Sequence, residues 1–435
     1  MPTPTRPAGR DDGRATAAVT RGKLPKTEAA RVADGGRRTA SAGAVLRAVL
    51  ENGPIARSTI ARITGLSPAS VTGHCAELAQ AGLLRELPDQ VRSNGIGRPH
   101  VPVDLDVSRH IVAAVHIAVP MTTTALLDLR GRVLARRRTP HESADPGHVL
   151  ECAARGVATL CAQYDSDARP LGIGVATGGW VEPESGTVMD HPRLGWSRVP
   201  VRDWLSERTG LPVRVDGHSR ALLHGEMLFG GARHADGVLH VFAGNVVEAA
   251  FATRGAAHYG SRAQAGVIAH LPVEGSREPC SCGRVGCLEA TVSEETLARC
   301  AYQRRLIAAP DFRLLLEAAR AGSRAAVDLF VERSRLLGRA VATLMDVVGP
   351  ELVVVTDAVL PALPAALAAL RGIVRESARM VCDVDRALIP TAFPGAVLET
   401  AGGAVILDSL YRDPWGFGER ITSESCNVDT PGPGP

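Results

Sequence analysis

Three thiols within eight residues, Cys280-Ser-Cys282-Gly-Arg-Val-Gly-Cys287, constrain this chain more than any other feature of its sequence. The intervening glycines let the backbone fold around a common centre, and His270 lies ten residues upstream. Three thiolates and one imidazole complete a tetrahedral zinc site with no open position. His270, Cys280, Cys282 and Cys287 are therefore expected to pin a loop that lacks a core of its own, rather than to catalyse. Disulfides are the competing reading, and an odd local count of three speaks against them. No apolar run followed by a small-residue cleavage site opens the chain, so a cytoplasmic location with reduced thiols is expected. Cys75, Cys152, Cys161, Cys300, Cys382 and Cys426 are dispersed and read as plain apolar or exposed thiols.

A chain of 435 residues is too long for one core, and its texture changes along its length. Residues 1–38 show no apolar periodicity and carry 9 Lys+Arg against 4 acids; they read as a disordered basic arm. From Ser41, Val45, Leu46, Val49 and Leu50 form one helical stripe that Asn52-Gly53-Pro54 stops. Ile60 and Ile63 make a shorter stripe closed by Gly65. Ser67-Pro68 then supplies an N-cap and a first-turn proline for a third helix, whose Val71, Cys75, Leu78, Ala79 and Leu83 recur at helical spacing. Two short strands, Leu84–Leu87 and Val101–Leu105, flank a polar, arginine-bearing stretch. Three helices and a hairpin predict a winged helix-turn-helix over residues 39–106.

In such a unit the second helix of the motif enters the major groove of double-stranded DNA by its N-terminal turns. Ser67, Ala69, Ser70, Thr72 and His74 are the expected contacts, with Arg92 and Arg98 of the wing reaching toward a minor groove. The charge balance agrees, since residues 1–100 carry 15 Lys+Arg against 8 Asp+Glu while the remainder carries 34 against 38. A solvated basic tail, or a helical unit that binds protein, accounts for the same charge without DNA. No stretch reaches the roughly 18 apolar residues of a membrane span. From Ile111 strands and helices alternate, with strands expected at 111–117, 124–128, 171–176, 237–242 and 352–356. Residues 107–415 thus read as an α/β body, and 416–435 as a frayed tail.

The zinc signature with its closing Glu289, together with Gly172-Ile-Gly-Val, Leu194-Gly-Trp196, Pro350-Glu-Leu-Val-Val-Val and Ala401-Gly-Gly-Ala404, resembles the ROK family, which groups bacterial repressors with sugar kinases. The resemblance runs over residues 41–412. It implies an actin-like, ribonuclease H-like body of two lobes with a cleft between them, and the appended head is similar to the repressor branch. It also implies a homodimer or homotetramer that responds to a small-molecule effector.

Kinase chemistry needs glycine turns for phosphates and a carboxylate base, and the matching positions depart from this. His116-Ile-Ala118-Val-Pro120-Met-Thr122 replaces the first turn, Gly244-Asn245-Val246 the second, Thr356-Asp357 a Gly-Gly, and Gly217-His218 the Asn-Asp pair that carries the base. Of the sugar contacts that the resemblance implies, only His270 and Glu289 remain, because Gly217, His218 and Val267 stand at the other three. The expected function is a DNA-binding regulator, most simply a repressor, that is not an enzyme. Its cleft is either vestigial or takes a different, anionic or more apolar, effector near His218, Arg220, His270 and Glu289. A sugar kinase with a regulatory head and a zinc-stabilised protein-interaction scaffold are the alternatives.

Overall fold

Val45, Leu46, Val49 and Leu50 all lie buried on one face of helix α1 (Lys26–Asn52). The computed structural model describes residues 26–88, 101–164, 168–379 and 383–418. Helix α1 begins at Lys26, so residues 26–38, expected as part of the arm, are helical. Extending a nucleated helix costs far less than starting one, and weak amphipathicity alone does not stop it. Helix α2 (Arg57–Thr64) ends at Gly65 with φ of 70°. Ser67 caps α3 (Pro68–Gln80), its hydroxyl accepting from Ser70 N at 3.1 Å. Strands β1 (Leu84–Glu86) and β2 (Val103–Leu105) pair antiparallel with Leu84 opposite Leu105, completing the winged helix-turn-helix. Arg92 and Arg98, the arm before residue 26, Cys382, Cys426 and the tail beyond residue 418 lie outside the described residues.

The body repeats one topology twice. In the first lobe β3 (His110–Ile117), β4 (Met121–Asp128) and β5 (Val133–Pro140) form an antiparallel meander. After α4 (Pro146–Gln163), β6 (Arg169–Thr177) runs parallel to β3. A small sheet follows, β7 (Trp180–Glu182), β8 (Thr187–His191) and β9 (Trp196–Val199); then come α5 (Val201–Thr209), β10 (Val213–Gly217) and α6 (His218–Leu228). The main sheet has the order β10-β6-β3-β4-β5.

The second lobe begins with β11 (Gly237–Ala243), β12 (Val247–Thr253) and β13 (Ala256–Ala257). The metal loop leads to α7 (Leu288–Val292), α8 (Glu294–Gln303), α9 (Phe312–Arg320) and α10 (Arg324–Val348). Strand β14 (Leu352–Asp357), α11 (Pro364–Ser377), α12 (Val384–Ala387) and β15 (Leu388–Pro390) complete it. Its order, β13-β12-β11-β14-β15, has the same antiparallel and parallel pairings as the first sheet. Parallel strands open their C-terminal ends toward a crevice, so the repeat places two such ends on opposite sides of one cleft.

Helix α13 (Val397–Arg412) then returns to the first lobe and packs on β3 and β6. The approach is close: a Cβ on Gly402 would lie 2.8 Å from Val115 N, and one on Gly174 2.0 Å from the Gly402 carbonyl oxygen. The far end of α13 enters the head. Leu410, Tyr411 and Phe417 share one buried cluster with Val45, Ile60, Leu78 and Leu105. The boundary at residues 106–107 is therefore no core boundary, and residues 416–418 belong to the folded protein rather than to the tail. α1 crosses so near that a Cβ on Gly43 would lie 2.7 Å from the Tyr411 carbonyl oxygen.

Candidate nucleic-acid interface, metal centre and cleft

Helix α3 turns Val71, Cys75 and Leu78 inward, which leaves Pro68, Ala69, Thr72 and Gly73 exposed and Ser70 half-buried. His74, expected on that outer face, is instead buried at 8% exposure, with Nδ1 3.6 Å from Glu77. Positions 71, 74, 75 and 78 follow the i, i+3, i+4, i+7 spacing of one helical face, so His74 belongs to the core stripe. Thr72 donates back to the Pro68 carbonyl at 2.9 Å, and Gly73 opens onto empty space. The exposed face is small and uncharged, a shape that lies close along a groove. Arg62 stands exposed on the preceding helix; sequence reading passed over it because it broke no apolar pattern.

The metal loop brings one atom each of His270, Cys280, Cys282 and Cys287 within 4.8 Å of one another. His270 Nδ1 lies 3.6 Å from Cys280 Sγ, and Cys282 Sγ lies 3.7 Å from Cys287 Sγ. Four donors about 2.3 Å from a common centre define a tetrahedron with edges of about 3.7 Å, so the cage fits zinc and is far too wide for a disulfide. Arg284 donates to Cys282 Sγ at 3.4 Å and pulls that thiol down to about 6, toward the thiolate a metal needs. Loop hydrogen bonds from Leu288 N to the Leu271 carbonyl and from Glu289 N to the Ala269 carbonyl tie the cage to the cleft floor.

One part of the cleft, a cavity of about 270 Å³, is lined by Arg220, Glu248, His270 and Glu289. Its polar groups are largely committed already. Arg220, 7% exposed, donates to Asp216 at 2.7 Å and to the Ala263 and Val181 carbonyls, and lies 5.1 Å from the Tyr259 ring centroid. Its guanidinium has little left for a ligand. Glu289 accepts from Val247 N at 3.0 Å. Glu248, absent from the sequence-based set, accepts from Ser219 N at 3.3 Å, and burial pushes its carboxyl up to about 7.

His218, expected beside these groups, does not join them. It is 3% exposed and turns into a second part of the cleft, where its ring centroid lies 4.7 Å from that of His116 and 4.3 Å from that of Phe242. Burial, and then His240, hold it down at about 3. As the first residue of α6 behind Gly217, it sits between His116 of the first lobe and Phe242 of the second.

Comparison with known proteins places the chain among others of this architecture. A family profile described as "ROK family" matches residues 112–390. The chain is 35% identical over 390 residues to "Transcriptional regulator Rv0485" of Mycobacterium tuberculosis, covering 86% of this chain and 87% of that protein. A crystal structure of a ROK family transcriptional regulator, described as a homolog of the E. coli MLC protein, superposes with a TM-score of 0.73. It is 24% identical and covers 89% of this chain and 99% of its own. A ROK family glucokinase from Streptomyces griseus, solved with glucose and AMPPNP, reaches a TM-score of 0.60 at 24% identity, over 68% of this chain and 98% of its own. The last two likenesses speak to the fold, and the head lies beyond the family profile.

Proposed function

The chain belongs to the ROK family, and from that premise we propose that it is a DNA-binding transcriptional regulator, acting as a repressor. The observation that carries this is the capped α3, which presents Ala69, Thr72 and Gly73 outward from a head whose core continues into α13 of the body. Ser67, Ala69, Ser70 and Thr72 are the proposed groove contacts, with Arg92 and Arg98 on the wing. One short helix whose outer N-terminal face is uncharged discriminates weakly, so a homodimer or homotetramer placing two heads on related half-sites is part of the proposal.

The body is read as catalytically silent. His218 stands where the family's base is expected, but it is packed between two aromatic rings and held neutral, an imidazole at the position of the carboxylate that would take a sugar proton. Zinc is assigned a structural role: bound by His270, Cys280, Cys282 and Cys287 it would close the loop under the cleft, with no position left for a substrate.

Selection of genomic fragments by the full-length protein at near-physiological salt tests the regulator. A two-fold-related site should be enriched and should be lost with Thr72→Glu, which sets a negative charge against the groove. Equal retention by Thr72→Glu would remove α3 from recognition. Sugar-dependent turnover of ATP would overturn the silent body. Metal analysis of the purified protein should find one zinc per chain, and Cys282→Ser should release it and lower the melting temperature.

A further inference from the structure

The largest cavity among those described, about 620 Å³, lies between the lobes beside His218 and apart from the Arg220, Glu248 and Glu289 cluster. That volume falls within the range of small-molecule sites. Its walls come from both lobes: Ile117 and Met121 at the β3–β4 turn, Phe242 ending β11, Leu316 on α9, and Val397 and Leu398 opening α13. Val119 at the same turn is 41% exposed, an apolar side chain left facing solvent.

Several polar groups on these walls are already committed within the protein: His191 accepts from Leu194 N, Arg193 donates to the Asn245 carbonyl and Glu295, Asn245 accepts from Glu295 N, Thr356 bonds His240, and Thr391 donates to Glu226. Both ring nitrogens of His116 and Nε2 of His218 are buried without a hydrogen-bond partner among the described residues, an arrangement that natural cores avoid unless something else satisfies it. Asp357 is spent on Arg333. Arg320, at the last turn of α9, lines the cavity and is exposed, and it makes no hydrogen bond or ion pair among the described residues. Glu294 is the one carboxyl on the wall without an ion-pair partner among the described residues, and burial pushes it up to about 7.

We propose that this cavity is a binding site for a small apolar acid, an aromatic or medium-chain aliphatic body held between the lobes with its single anionic group at Arg320. A sugar would find too few uncommitted donors and acceptors along these walls, since Arg193, Asn245, Thr356, Asp357 and Thr391 are engaged within the protein, and a polyphosphate would find one free guanidinium where it needs several. The inference deepens the regulator reading by naming an effector class. Occupancy is nonetheless measured on the body itself and does not depend on DNA binding.

The probe is 1-anilinonaphthalene-8-sulfonate, titrated against the full-length zinc-loaded protein with its neutral counterpart N-phenyl-1-naphthylamine as control. The sulfonate should show one saturable site per chain, displaced by decanoate and not by ATP or glucose. Ala358→Trp, which fills the cavity from an exposed lining position, should abolish binding without moving the melting temperature. Val119→Glu serves the same end should Ala358→Trp fail to fold. Arg320→Glu should weaken the sulfonate about tenfold and leave the neutral probe unchanged. Non-saturating fluorescence, binding that survives both cavity variants, displacement by ATP or glucose, or equal affinity for the two probes would each overturn the assignment. A failed fragment selection would leave all of these readouts in place, so the two proposals fail separately.

Discussion

His218 and His240 lie one behind the other in the first and second lobes, both buried and both held at about 3, in each case chiefly by burial. His240 is satisfied by Ser219 and Thr356, whereas Nε2 of His218 has no partner among the described residues. Their folded values lie below the unfolded one, so the unfolded chain takes up protons that the native protein refuses. Stability must then fall as pH drops below about 6.5. Each such imidazole contributes a slope of about 1.4 kcal/mol per pH unit between there and its folded value. His218→Phe keeps an aromatic ring against His116 and Phe242 and removes one proton site. In urea titrations the variant should lose about 2 kcal/mol less than the wild type between pH 6.5 and 5; parallel curves would mean that His218 is protonated in the native state. The identity of His218 at a family base position was legible in the sequence, and so was the metal cage, because its ligands are local in the chain. The inward turn of His218 was not, since it depends on His116 and Phe242, which come from different lobes and meet it only in the folded protein. His74 differs, because its spacing from Val71 and Leu78 already marked the core face.

Helix α13 shows how an element can be visible while its purpose is hidden. Ala401-Gly-Gly-Ala404 carries part of the family resemblance, but the burial of the helix that holds it, Glu399 and Asp408 included, is not in that motif. Only the fold reveals three clients, the β3–β6 surface, helix α6 beside it, and α1 of the head. Gly402→Ala sets a methyl 2.8 Å from Val115 N, against backbone that no rotamer change relieves, so it should cost about 1–3 kcal/mol. Gly372, inside α11, has nothing within 4 Å of a built Cβ, and Gly372→Ala should gain about 0.5–1 kcal/mol from helix propensity. Chemical denaturation of the two variants reads both signs, and a neutral Gly402→Ala would show that α13 can lift from the sheet. Five strands of the body, β3, β4, β6, β11 and β14, were readable from apolar runs, as β3 and β14 are buried along nearly their whole length, whereas β5, half-exposed and arginine-bearing, carried no such run. The first turns of α1 were not, because their sequence carries no stripe.

At the scale of the molecule, α13 joins the apolar cavity to the head, since Val397 and Leu398 line the one and Leu410 and Tyr411 enter the other. Asp408 sits near the head end, 3.4 Å from Arg47 of α1, 2.6 Å from Arg412 and 3.5 Å from His224, which lies 3.9 Å from Asp216 behind Arg220. A ligand that changes lobe closure can bias the head only through contacts that differ between the two states, and this cluster spans the junction. Burial alone would raise the Asp408 carboxyl and lower the His224 imidazole. Their mutual attraction outweighs it, with Arg412 also acting on Asp408 and Asp216 on His224, so Asp408 is held well below the carboxylate range and His224 is raised. A depressed carboxylate stabilises above its unfolded value, near 4, and a raised histidine below its own, near 6.5. The pair therefore contributes most between those limits, and the histidine share is lost as pH rises through its folded value. Asp408→Asn should destabilise the protein by about 1–3 kcal/mol at pH 6, the arginines being partly solvated. The deficit should shrink toward pH 9 as His224 loses its proton in the wild type. Arg47→Ala should cost less, about 0–1 kcal/mol, and leave α1 docked by its buried stripe. A deficit for Asp408→Asn that stays constant from pH 6 to 9 would mean that His224 is neutral and the junction is held by the arginines alone.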